Sequence, residues 1–202
     1  MTCKLRWLVP FLALAAIAVA GPAGAAAAPT VRLDGVRTTL WTNPATTQVL
    51  LANKIVPLPT WGTGVDVKWT SSGPTIGYRF PISGGHVDAA TLAGRINHTG
   101  GLKFVNLANG KTLSLTRFRI VIDGHPRLTA IVNGDPKVRV PILRLDLSRA
   151  AVSKPLPYVK VGNVGAYLNS TAAGALNNAL GVSFFAPNIK LGTAYVNAHV
   201  AG

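Results

Sequence analysis

From about residue 30 onward the chain is a succession of short segments in which apolar and polar residues alternate, separated by glycine, asparagine and proline. That is the pattern of a mostly antiparallel β domain. In KTLSLTRFRIVIDG the apolar residues Leu113 and Leu115 are odd-numbered, whereas Phe118, Ile120 and Ile122 are even-numbered. Successive side chains of a strand point to opposite faces, so the change of parity predicts a bulge or bend near Thr116 and Arg117. KVRVPILRLDLS repeats the switch, from Val138, Val140 and Ile142 to Leu143, Leu145 and Leu147. Pro141 stands at the change, where a residue without an N–H favours a bend or an edge. The two switches predict strands that pass between sheets or coil strongly. The expected fold is an antiparallel β-sandwich or a strongly coiled two-sheet domain, with two short helices.

The helices are expected in NPATTQVLLAN, residues 43–53, and NSTAAGALNNALG, residues 169–181. In the first, Asn43 can cap the N-terminus and Pro44 suits the first helical position. In the second, Asn169 or Ser170 is the cap, Leu176 and Leu180 share one face, and Gly181 stops the helix. The preceding TTL and AYL read in each case as a strand feeding its helix. PLPTWGTGVDVKWTSSGPTIGYRFPISGG is expected to be a long irregular connection or a pair of weak strands. It groups Trp61, Trp69, Tyr78 and Phe80, aromatics read as packing ahead of a ligand platform.

The start of the chain, MTCKLRWLVPFLALAAIAVAGPAGAAAAPT, has basic residues, an apolar run and then small residues, the layout of a secretory signal peptide over residues 1–27. The run is shorter than the ~18–20 apolar residues of a membrane span and contains Pro10. Residues 28–202 then form a single β-rich domain, expected to be secreted or retained at the cell envelope without a transmembrane segment. The only cysteine, Cys3, belongs to the leader, so the remainder has no disulfide and no thiolate nucleophile.

Charge narrows the partners. Twenty Lys and Arg face six acidic residues, all Asp; loss of Lys4 and Arg6 with the leader lowers the formal +14 to +12. Such a field draws anionic partners. Outside the cell these are envelope polymers, anionic lipid head groups or carboxylate-bearing small molecules rather than nucleic acid. The competing explanation is that the charge serves solubility alone.

No enzymatic site emerges. Three of the six Asp sit in turn contexts (RLDGV, IDGHP, NGDPK), where they serve the backbone, and no acidic pair stands out. Nucleophile elbows, phosphate loops and zinc-binding spacings are all missing. Of four histidines, His86 is read as preceding a strand, His125 occupies the turn DGHP, and His199 is placed to face water. His98, in GRINHTGGLKF, shares parity with Ile96, Leu102 and Phe104 and therefore points to the apolar side. Two readings remain for it: a core histidine hydrogen-bonded to backbone, or a cavity histidine touching a small molecule or metal complex.

GYRFPISGGHVDAATLAGRINHTGGLKF, followed by KTLSLTRFRIVIDG, RLTAIVNGD and LRLDLS, resembles the HtaA-domain proteins of secreted and cell-surface bacterial haem uptake. The resemblance covers roughly residues 78–150 and, more loosely, AYLNSTAAGALNNALG and LGTAYV to about residue 196. It implies a β-rich domain with minor helices that binds haem through a tyrosine, with a histidine in support. The family's ligand tyrosine is expected after a W-G motif; Trp61 and Gly62 supply that motif, but GVDVKWTSSGPT contains no tyrosine. Tyr78 or another tyrosine would then bind iron, His98 would support it, and Arg79 and Arg95 would meet the propionates. Haem is thus the candidate cofactor. The alternative is a structural or adhesive envelope protein that holds anionic cell-wall polymers.

Overall fold

A computed structural model describes residues 29–202; the expected signal peptide lies outside the described residues. Strand β1 (Thr30–Thr42) runs into helix α1 (Pro44–Ala52), followed by β2 (Ile55–Pro59), β3 (Gly64–Thr70) and β4 (Gly73–Asp88). Then come β5 (Gly94–His98), β6 (Gly101–Asn106), β7 (Thr112–Ile122), β8 (Arg127–Val132), β9 (Arg139–Asp146) and the short β10 (Ala151–Ser153). The chain finishes with β11 (Tyr158–Leu168), α2 (Ser170–Leu180) and β12 (Lys190–Val200).

All strand pairings are antiparallel, and eight strands form a ring: β7, β5, β4, β1, β12, β11, β9 and β8, closed by the β7–β8 pairing. The domain is therefore a closed barrel rather than the expected sandwich. The parity switches are real, but they coil one sheet onto itself instead of dividing it. Between Thr116 and Arg119 the β7–β8 register slips, with Arg117 at φ 48°, so that Leu115 and Phe118 both face inward. In β9, Ile142 is the extra residue beside exposed Pro141, and Ile142 and Leu143 are both buried. A third slip lies between Val161 and Val164 of β11, with Asn163 at φ 59°. Each bulge bends its strand and increases local twist, which is what closing a barrel requires.

The aromatic-rich segment is a pair of strands after all: β3 lies along the first half of β4. Its aromatics separate by face, Tyr78 and Phe80 in the core and Trp61 and Trp69 at 92% and 81% exposure. His86 lies within β4 rather than ahead of a strand.

Both helices follow their strands as the sequence predicts. Asn43 caps α1 by accepting from the Ala45 N–H, with Pro44 opening the helix. Asn169 caps α2 by accepting from Thr171, and Gly181 ends it in the left-handed conformation at φ 65°. Helix α2 turns Ala172, Ala173, Leu176 and Leu180 toward β6, β7 and β9, and so covers one end of the barrel. The side-chain amides of Asn106 and Asn109 donate to the Leu180 carbonyl at 2.9 and 3.0 Å. A helix-end carbonyl that would otherwise be buried without a partner is thereby satisfied.

Candidate functional site

Alternation along the strands decides where the sequence-selected residues go. Tyr78 and His98 point into the barrel, while their strand neighbours Arg79 and Arg95 point out. The four side chains therefore do not converge on one ligand.

His98 is 4% exposed, and both ring nitrogens are bonded to the protein. The Phe118 carbonyl can only accept, so Nδ1–H donates to it at 3.2 Å, leaving Nε2 to accept from the Thr38 hydroxyl at 2.8 Å. Burial pushes the imidazole down to about 4, partly offset by the Phe118 hydrogen bond, and the ring is neutral near pH 7. The result is a three-way tie between β5, β1 and β7. Tyr78 is equally enclosed: its hydroxyl donates to the Pro57 carbonyl at 2.9 Å, and burial pushes it up to about 12. An iron-ligating tyrosine acts as phenolate, the form this burial disfavours. As folded here, Tyr78 and His98 do not fit an iron centre. Among the described residues no group of three or more His, Cys, Asp or Glu is placed to hold a metal ion.

On the outer surface, Arg79 crosses Gly64, where a β-carbon would lie 2.8 Å from its Nε, and reaches Asp66 Oδ2 at 3.2 Å. That contact is an ion pair by distance without hydrogen-bond alignment. Arg95 lies on a different outer surface, in a depression shared with His86, Arg119 and Asp123. Arg119 donates through Nε to Asn97 at 2.8 Å, and Arg139 donates to the Thr129 hydroxyl at 3.2 Å. Partial burial, then the charges of Arg119 and Arg117, hold the Arg139 guanidinium below its ordinary value. Among the described residues the ion pairs join Asp66 to Arg79 and Asp123 to Arg127, Asp34 lies against His199 Nδ1, and none of these acids reaches Arg117, Arg119 or Arg139. Arg117, Arg119 and Arg139 thus stand without an ion-pair partner, beside an Asp123 that is taken up by Arg127. The sequence showed the charge excess; grouping Arg117, Arg119 and Arg139 took the register of the strands that carry them.

The interior holds a second feature, which the sequence reading missed. The barrel encloses a cavity of about 320 Å³ whose wall is apolar apart from Thr38 and Thr91. One side is built of large side chains such as Phe118, Ile120 and Leu145; the other presents Thr38, Ala166 and Ala194. The cavity lies where the β1–β12–β11 wall turns the small side chains of Thr38, Ala194 and Ala166 inward. Alanine inward and tyrosine outward in GAYL and TAYV was the available signal.

An antiparallel eight-stranded barrel, closed at one end by a helix and hollow inside, is the class of protein defined here. The fold is that of the HtaA C-terminal domain. The crystal structure of that domain from Corynebacterium glutamicum superposes with a TM-score of 0.63 at 16% identity, covering 85% of this chain and 99% of that one. The domain-swapped dimer of a histidine-to-alanine variant of the same domain gives a TM-score of 0.54 at 18% identity, over 78% of this chain and 92% of that one. Neither a protein-family model nor a curated protein sequence matches the chain. Among the described residues, no helix is long and apolar enough to cross a membrane.

Proposed function

We propose that this chain is a non-enzymatic binding domain, secreted to the cell envelope and associated with haem uptake, that takes an anionic ligand on its outer arginine face. The observation that carries this is the group Arg117, Arg119 and Arg139, none of them in an ion pair, with Arg95 close by, on an HtaA-like barrel. Guanidinium groups bind carboxylates in a planar, two-point fashion, which suits the propionates of haem. Haem is the ligand to test first. Titration of the purified domain with haemin is expected to give a saturable Soret change. Arg119→Ala combined with Arg139→Ala should weaken it at least tenfold, since hydrogen bonds to charged groups contribute roughly 1.5–3 kcal/mol each. No spectral change at micromolar haemin overturns the haem reading. Loss of the band in Tyr78→Phe, with the arginine variant unaffected, returns iron ligation to the buried tyrosine.

The same arginines favour a second reading, an adhesive domain retained on anionic cell-wall polymers. Retention on such a polymer that collapses with added salt, in a protein that leaves haemin unchanged, selects it.

A further inference from the structure

The cavity inside the barrel is independent of the arginine face and of the haem reading. An eight-stranded barrel is just wide enough to be filled by its own side chains or to hold one small ligand. This one is not filled. Its volume of about 320 Å³ stands at the lower end of small-molecule sites, roughly 300–1,000 Å³, which suits a slim occupant. The wall carries no His, Tyr, Lys, Arg or Asp, so neither an iron centre nor a charged group would find a partner inside. Of its two polar residues, Thr38 already donates its hydroxyl proton to His98. Water is equally poorly served, because a buried water needs two to four polar partners.

The cavity approaches the surface at the end opposite α2. Its wall there includes Thr91 and Leu92 of the β4–β5 turn, Leu147 and Ala150 after β9, and half-exposed Val152 of β10. Leu92 is held at φ 62°, in the left-handed region, and still lines the cavity. Beside this rim Lys154 donates through Nζ to the Ala89 carbonyl, which places a cation at the β4–β5 turn. We propose that the barrel interior binds a single acyl chain, admitted tail first past Leu92, Ala150 and Val152, with its anionic end left at the rim near Lys154.

The test uses cis-parinaric acid, whose fluorescence rises when its chain leaves water. The expected result is saturable binding of one molecule per chain at micromolar concentration. Ala150→Trp, which narrows the rim, should weaken binding at least tenfold. Ala194→Phe, which fills the small-residue wall, should do the same, with an unchanged circular dichroism spectrum showing that the variant is folded. Replacing the exposed Trp61 and Trp69 by serine should leave binding intact. Displacement by palmitate or by lysophosphatidylglycerol identifies the source of the chain as free fatty acid or lipid. Absence of saturable binding overturns the proposal; so does binding lost with the tryptophans but kept in Ala150→Trp, or displacement by neither competitor. Haemin titration of Ala150→Trp keeps the two sites apart, because the arginine face is untouched by that substitution.

Discussion

The two ends of the barrel are built on opposite principles. At one end α2 lays four apolar residues over β6, β7 and β9, its last carbonyl is held by two asparagines, and Leu180 is completely buried. At the other, the surface above the cavity is made by turns and the three-residue strand β10, with Leu92, Leu147, Ala150 and Val152 partly exposed. The difference separates two duties along one axis: the helical end supplies packing, and the turn end brings the cavity to the surface.

Truncation tests this most strongly. Leu180→Ala should cost about 3–5 kcal/mol in urea denaturation, the range for a fully enclosed leucine, whereas Leu147→Ala, beside a cavity already present, should cost roughly 1–2 kcal/mol. Equal losses would mean that the turn end is packed as tightly as the helical one.

Acid applies the next largest pressure, and in two separate windows. His98 has its folded value pushed below the ordinary one, so the unfolded chain takes up the proton first. Stability from this group is complete above about pH 6.5 and declines as pH falls toward about 4, by on the order of 3 kcal/mol. His98→Gln should flatten that slope in denaturation curves between those limits. Asp88, at the turn end, accepts hydrogen bonds from the Thr91 N–H and hydroxyl and from the Ala90 N–H, which hold its carboxyl below the usual range. Its contribution is present above the ordinary Asp value and is lost only as pH falls through the lowered one, so the β4–β5 turn should outlast the His98 tie during acidification.

The smallest contrast concerns two left-handed positions. Gly181→Ala at the end of α2 should cost about 1 kcal/mol, because the new β-carbon meets Asn109 at 2.9 Å in a conformation alanine resists. At Leu92, replacement by glycine relieves the same backbone cost while giving up a half-buried side chain. Thermal denaturation of Leu92→Gly should therefore stay within roughly 0.5 kcal/mol of the parent.

Local features were readable in advance because local physics sets them. The bulges at Arg117 and Pro141 follow from strand parity, the ends of both helices from Asn43, Asn169 and Gly181, and the inward direction of His98 from its even-numbered neighbours. What escaped was set by distant partners. The Thr38 hydroxyl is 60 residues from His98 in sequence, and the Phe118 carbonyl 20, so parity could aim the ring without saying what it meets. Closure likewise depends on β7 finding β8 while β1 finds β12, which no single segment reveals. The cavity is more remote still: it is a difference in volume between two walls, visible only once Ala166 and Ala194 face Phe118 and Leu145 across the barrel.

The pairing of β1 with β12, from Leu33 opposite Val200 to Thr42 opposite Gly192, carries a consequence for the timing of folding. The first strand of the barrel waits for the last, so the ring cannot close while the chain is still being synthesised. Loop closure over such a separation is slow. Until β12 arrives, β1 and β11 remain unpaired edges open to other strands, a hazard that ends only when the whole sequence has been delivered.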